Sequence, residues 1–254
     1  MKSIPTLLTS TLLALALPGQ AVAEEDWEFI VSPLFLWGLS IDGDATINGN
    51  TAPLDLDFRD DILDNMEMVF TIHGEARKGR WGLMLEYQYV DLEPEVGISQ
   101  GPVSIEADIG FEEDFFEFAG AYAFSESDTT RWEVLLGGRY TDQKVDVDAD
   151  IISILPPLPE GVSGSGGDSW WQAIAGIRVQ HQLSKQWSFI GRADYGYEDS
   201  DNSSYNGAFM FNYRFNDWGS AFIGARYLDY DYEDDDYGFD AAKAGPLAGV
   251  SIHF

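Results

Sequence analysis

The sequence contains no cysteine and few basic residues. Only 14 lysine and arginine residues stand against 44 aspartate and glutamate residues, so the formal net charge is −30 over 254 residues. This charge argues against binding to nucleic acids or anionic lipid surfaces through bulk electrostatics, because both partners are themselves negative. The absence of cysteine fits an exported bacterial protein that needs no disulfide bond.

Long hydrophobic runs are missing from residues 24–254. No segment in this range reaches the roughly 18 uninterrupted apolar residues that a transmembrane helix needs. The N-terminal segment is different: Lys2 precedes an apolar stretch at 7–18, and Ala21-Val22-Ala23 forms a small-x-small cleavage site. This arrangement predicts a secretory signal peptide at 1–23 and a single mature domain at 24–254.

The mature chain is rich in segments whose apolar side chains recur at every second residue. Such alternation predicts β-strands that face two different environments. Pro33, within the first of these segments, predicts a bulge or a weak position in the ladder. The predicted strands lie at 27–39, 68–77, 81–90, 116–124, 132–141, 171–180, 187–195, 205–214, 221–227 and 245–254.

One face of these strands carries almost no charge, and tryptophan and tyrosine concentrate near the strand ends. Aromatic residues at strand ends are typical of the two bilayer interfaces, and a sheet in lipid must close to pair its backbone groups. We therefore predict an all-β, transmembrane antiparallel up-and-down barrel of about ten strands. Eight or twelve strands, or a soluble lipocalin-like barrel or β-sandwich, are the alternatives.

The segments between the predicted strands alternate in length. Residues 78–80, 125–130, 183–186 and 215–217 are short, whereas 40–66, 95–110, 149–169, 199–204 and 229–244 are mostly longer. This alternation predicts short periplasmic turns and long extracellular loops, with both termini periplasmic. Within 40–66 we expect a small hairpin and a helical turn at 59–65, folded over or into the barrel mouth.

The C-terminal strand ends on Phe254 without a polar tail, with Ile252, Val250 and Ala248 on the same face. This terminus resembles the closing strand of Gram-negative outer-membrane barrels, which ends in Phe. The whole mature chain is similar in pattern to small OmpA-like and OmpW-like barrels. The stretches 75–83, 61–65 and 245–249 resemble an uncharacterised family of such proteins, which has no catalytic motif to transfer. The resemblance implies an outer-membrane location and recognition of the Phe254 strand by the barrel-assembly machinery.

The predicted inward face collects charges of both signs. In an open pore they would set ion selectivity, and in a closed barrel they would form a paired network, because unpaired buried charge is costly. Ten strands leave little free lumen once long side chains fill it. The predicted lumen-lining residues are Glu28, Glu75, Arg77, Glu86, Glu117, Glu133, Arg139, Arg178, Arg192, Asp194, Arg214 and Arg226.

His73 shares this inward face with Thr71 and Glu75, which makes it the one plausible base for a barrel hydrolase. No serine lies at a recognisable nucleophile spacing, so we predict no enzymatic activity and interpret His73 as a hydrogen-bonding lumen residue.

Residues 229–240 are acidic and rich in tyrosine. Their carboxylates could attract Ca²⁺, with Asp234, Asp235 and Asp236 as weak candidates, but the EF-hand spacing is missing. We predict a solvated acidic loop without a resident metal or cofactor, open to bridging by divalent cations.

The sequence favours a narrow porin-like channel for ions or small solutes. The alternative is a non-conducting structural or surface-interaction barrel with a salt-bridged lumen, and a remote alternative is an outer-membrane hydrolase. The expected partners are outer-membrane lipid, lipopolysaccharide and the assembly machinery, with no nucleic acid.

Overall fold

A computed structural model describes residues 26–58, 66–93, 95–100, 103–153, 162–234 and 236–254. The predicted signal peptide and the predicted helical turn at 59–65 lie outside these residues. Among the described residues, no helix has the length and apolar character needed to cross a membrane. The strands are β1 Glu28–Trp37, β2 Ser40–Ile47, β3 Asn50–Leu56, β4 Met66–Lys78, β5 Trp81–Leu92, β6 Glu95–Gln100, β7 Val103–Glu126, β8 Thr130–Ser153, β9 Val162–Gln182, β10 Trp187–Asp199, β11 Asn202–Arg214, β12 Gly219–Glu233 and β13 Tyr237–His253.

Ten of these strands form a closed antiparallel ring. Its order is β1, β4, β5, β7, β8, β9, β10, β11, β12 and β13, and β13 pairs back to β1. Each of the ten predicted segments falls in a different strand of this ring, so the predicted ten-strand up-and-down barrel is confirmed. Strands β2 and β3 continue the sheet beyond β13, and β6 pairs with β7 alone.

The apolar face of the ring points outward. Leu136 is 66% exposed and Ile223 is 61% exposed, although both lie in strands that are paired on both sides at these positions. A soluble barrel would turn these side chains inward, so the outer band is the surface that lipid covers. Exposed tryptophans, among them Trp81, Trp187 and Trp218, ring the end of the barrel that carries the short turns.

Pro33 interrupts the ladder of β1, as predicted. The register between β1 and β13 shifts between Val31 and Leu34, and β1 pairs with β4 only from Glu28 to Ser32. Beyond this point the Thr71 hydroxyl replaces the backbone hydrogen bonds between β1 and β4. It accepts a hydrogen bond from Phe35 N at 3.0 Å and donates one to the Phe35 carbonyl.

The four short turns are confirmed, but most of the predicted long loops are strand. Strands β7 and β8 each have 24 residues, β12 continues to Glu233 and β13 begins at Tyr237. The predicted loop at 199–204 is a tight turn, since β10 ends at Asp199 and β11 begins at Asn202. The reason is that acidic residues outside the membrane alternate with inward aromatic and aliphatic ones, which extends the strand pattern. The small hairpin within 40–66 is confirmed as β2–β3, with Asn48 and Gly49 both at positive φ.

Beyond the ring, the long strands separate into two sheets that we name the outer extension. One consists of β6 and the ends of β7, β8 and β9, and the other of β2, β3 and the ends of β12 and β13. A shared core joins them: Trp170 of β9 stacks on Tyr232 of β12 with ring centroids 4.0 Å apart. The extension therefore packs as a small sandwich on the long-loop side of the barrel.

Candidate functional site in the barrel lumen

A network of ion pairs fills the middle of the lumen. It contains all but two of the predicted inward charges, because the alternation that turns apolar residues to lipid turns these residues inward. Arg139 and Glu133 have no exposed surface. The members are His73, Glu75, Arg77, Glu86, Glu117, Glu133, Arg139, Arg178, Arg192, Asp194 and Arg226.

Two arginines and two carboxylates form one half of the network. Arg139 Nη2 lies 2.7 Å from Glu117 Oε2 and 2.7 Å from Asp194 Oδ1. Arg192 completes the square, with Nη2 2.6 Å from Glu117 Oε1 and Nε 2.7 Å from Asp194 Oδ2. Asn206 Nδ2 also donates to Asp194 at 2.6 Å. Every carboxylate oxygen of this square therefore has a cationic partner.

His73 joins the other half of the network. Its Nε2 lies 3.2 Å from Glu75 Oε1, and its Nδ1 lies 3.2 Å from Glu86 Oε2. Only the imidazolium form donates through both ring nitrogens, so this geometry suits a charged histidine. Arg178 reaches Glu75 at 2.8 Å, and Arg226 reaches Glu86 at 2.6 Å.

The remaining two predicted residues, Glu28 and Arg214, lie at the short-turn end. They line the mouth of a cavity of about 490 Å³ that extends inward to His73 and Arg178. Arg214 is exposed and donates to the carbonyls of Asn216 and Asp217 at 3.2 and 2.7 Å, so it holds the adjacent turn.

Aromatic side chains close the lumen on the opposite side of the network. The Arg226 guanidinium carbon lies 4.9 Å from the ring centroid of Trp37 and 5.2 Å from that of Phe115. Behind them lie Phe111, Tyr230 and Phe239, all almost fully buried. We name these five aromatic residues the lumen plug.

The sequence from residue 110 to residue 240 matches a family model described as protein of unknown function, DUF481. The chain belongs to this family.

The region that matches the DUF481 model begins in β7 and ends in β13, so it includes the whole Arg139 square but not His73. No curated protein sequence matches the chain significantly. Among solved structures, the outer membrane protease OmpT from Escherichia coli is similar with a TM-score of 0.64 and 9% identity, over 93% of this chain and 99% of that one. Ail of Yersinia pestis, an attachment invasion locus protein, has a TM-score of 0.34 and 10% identity, over 91% and 99%. The likeness to OmpT shows that this DUF481 chain has an outer-membrane β-barrel fold.

A second buried ion pair was missed by the sequence analysis of this DUF481 chain. Lys243 of β13 contacts Glu113 of β7, and neither is exposed to solvent beyond 5%. The Lys243 ammonium also lies 4.8 Å from the ring centroid of Tyr230 and 5.4 Å from that of Phe239. The signal was present, because Glu113 alternates in phase with Phe111 and Phe115. Glu113 lies just before the strand predicted at 116–124, however, and Lys243 lies in the loop predicted at 229–244.

Tyrosines mark the outer boundary of the lipid-facing band. The hydroxyl of Tyr140 donates to Asp142 at 3.2 Å, and that of Tyr227 donates to Asp229 at 2.7 Å. Past this boundary most outward positions of β8 and β12 are acidic. Partial burial and the carboxylates of Asp231, Asp229 and Asp44 raise the pKa of Asp240.

Two of the three weak metal candidates, Asp234 and Asp236, lie at the tip of the β12–β13 hairpin and not in a long loop. The backbone N–H of Asp234 donates to the Tyr237 carbonyl at 2.8 Å, Asp236 accepts from Asn48 N at 2.8 Å through its carbonyl, and Asp235 lies outside the described residues. Within the described ranges, no group of histidine and acidic residues has the arrangement of a metal site.

Proposed function

We propose that this protein is a sealed, non-conducting barrel of the outer membrane, whose outer extension forms an interaction surface. The observation that carries the proposal is the packing of the lumen. Side chains at the centre of a water-filled pore would be hydrated, but Arg139, Tyr230 and Phe239 have no exposed surface. The narrow porin-like channel, which the sequence favoured, needs a continuous path of water through this layer.

Conductance in a planar lipid bilayer tests this proposal. We expect the refolded protein to insert without conductance steps, because the lumen plug and the ion pairs leave no aqueous path. Folding is checked by the heat-dependent shift of the band on a gel, and a known porin serves as the positive control. Stable steps whose ion selectivity changes in Arg178→Glu or Arg192→Glu would instead establish a channel.

We propose further that the barrel is not a hydrolase. The support is that His73 is held between Glu75 and Glu86 through both ring nitrogens, which leaves no nitrogen for a substrate proton. Peptide or lipid hydrolysis that is present in the wild type and lost in His73→Ala would contradict this proposal.

We propose that the assembly machinery recognises the C-terminal strand through Phe254. Phe254 is 73% exposed, although its backbone is paired: Phe254 N donates to the Phe29 carbonyl at 2.9 Å, and Phe29 N donates to the Phe254 carbonyl at 3.1 Å. A side chain that projects outward from a paired strand end is available to a partner in the membrane.

Divalent cations are expected to stabilise the folded protein by bridging the acidic outer face to lipopolysaccharide phosphates or to itself. Partial burial and, after it, the neighbouring carboxylates raise the pKa of Asp240, and bound Ca²⁺ or Mg²⁺ would relieve the repulsion between those carboxylates. We expect a higher thermal midpoint in millimolar CaCl₂ than in NaCl of equal ionic strength. Equal midpoints would show that no bridging occurs.

A further inference from the structure

Strand β9 has a long free edge in the outer extension. Pairing between β9 and β10 ends at Ala173 and Tyr197, whereas pairing between β9 and β8 continues to Val162. Among the described residues, the stretch from Val162 to Gln172 therefore has a neighbouring strand on one side only. This side, unpaired within the described ranges, lies beyond the β10–β11 turn, where β10 would continue if it were as long as β9.

The composition of this edge leaves it open to another strand. The exposed residues Ser163, Gly164, Ser165 and Gly167 are small and uncharged. The one charged residue of the stretch, Asp168, is half-buried and accepts hydrogen bonds from the Tyr232 hydroxyl and from Ser169 N, both at 2.7 Å. Sheet edges are normally protected by charged side chains or by proline, because unpaired N–H and C=O groups otherwise invite pairing. The free edge of β3, in contrast, carries Pro53 and Asp55.

Carboxylates surround the free edge. Asp142, Asp146 and Asp148 occupy outward positions of the adjacent strand β8, and Asp146 is directly opposite Ser165. The turn below the edge adds Asp199 and Asp201. The one basic residue of this part of β8, Lys144, lies 3.3 Å from Glu112 and is compensated by it.

We propose that the β9 edge binds an extended, lysine- or arginine-rich segment of another protein as an additional antiparallel or parallel strand. Main-chain hydrogen bonds to the free edge would supply the affinity, and the surrounding carboxylates would select a basic segment. A second copy of this chain is disfavoured as the occupant, because its own net charge is −30. The inference rests on the proposed role of the outer extension as an interaction surface.

The test uses the full-length protein, folded in detergent micelles, and synthetic peptides of alternating lysine and threonine, about ten residues long. We expect the lysine–threonine peptide to bind and to slow backbone hydrogen exchange at 162–169. A glutamate–threonine peptide should not bind. A lysine–threonine peptide that is N-methylated at alternate amides keeps its charge but cannot form one side of the ladder, so its binding should be lost.

A matched pair of variants locates the site. Ser165→Lys places an ammonium opposite Asp146 and should weaken binding of the lysine–threonine peptide at least about threefold. Thr129→Lys makes the same change in an exposed turn at the other end of the barrel and should leave binding unchanged. Equal binding of the N-methylated peptide, or protection that is absent from 162–169, would overturn the proposal. Because bilayer conductance is measured separately, a conducting barrel that still binds the peptide would contradict the sealed lumen and not the β9 site.

Discussion

Replacing Arg139 by methionine is expected to lower the free energy of unfolding by about 3–5 kcal/mol, because removing one partner of a buried ion pair leaves charge uncompensated. Arg139 has no exposed surface and bonds to Glu117 and Asp194, each at 2.7 Å. Without it, Arg192 is the one cationic partner that the two carboxylates share within this square. The Ser204 hydroxyl also loses the hydrogen bond that Arg139 Nη1 donates to it at 2.8 Å.

Urea-induced unfolding in micelles, followed by tryptophan fluorescence, measures this loss. Lys144→Met is the matched control, since its partner Glu112 is exposed and surface pairs contribute about 1 kcal/mol or less. Arg139→Lys retains the charge but not the forked geometry, so we expect an intermediate stability. If Arg139→Met and Lys144→Met are equally stable, the lumen is hydrated and the network does not hold the barrel together.

Replacing Glu113 by glutamine is expected to destabilise the outer extension by about 3 kcal/mol, because Lys243 then keeps a buried charge without a carboxylate. The rings of Phe111, Tyr230 and Phe239 surround the ammonium and offset only part of this cost. Removing both charges, in Glu113→Gln with Lys243→Met, should restore most of the lost stability, since a buried ion pair and an apolar replacement are often of similar stability.

Hydrogen exchange at β12 and β13 reports this effect locally, and the double-mutant cycle isolates the pair. We expect faster exchange around Tyr230 and Phe239 in Glu113→Gln and near-normal exchange in the double variant. A double variant as unstable as the single one would show that Glu113 acts through Gln143, which donates to the same carboxylate, and not through Lys243.

The ring of ten strands follows from the sequence because each strand carries the same local signal. Outward residues must be apolar for lipid, inward residues are free to be charged, and the two-residue period places both sets. For this reason Glu117, Arg139 and Asp194 could be assigned to the lumen before any partner was known. Pro33 likewise marks its own bulge, since proline has no N–H to give to the ladder.

The ion-pair partners across the lumen, in contrast, could not be predicted from the sequence. Arg226 and Glu86 are separated by 140 positions in the chain, and their contact depends on how the ring closes and how each arginine side chain extends. The outer extension was missed because high acidity was interpreted as a loop signal, although Tyr230, Tyr232 and Phe239 keep the strand period. Membrane strands and water-exposed strands share this period and differ only in which face is apolar.

The unequal lengths of the ladders also determine how the wall would respond to mechanical tension. The ladder between β7 and β8 runs from Val103–Ser153 to Glu126–Arg131, whereas that between β1 and β4 runs only from Glu28–Arg77 to Ser32–His73. A load applied around the circumference is shared by few hydrogen-bonded positions at the two seams of β1, because β1 pairs with β13 only between Ile30 and Trp37 and with a register shift. The wall of the barrel is therefore weakest on both sides of its first strand, and under force it would separate there first, while the β7–β8 hairpin would be the last to separate.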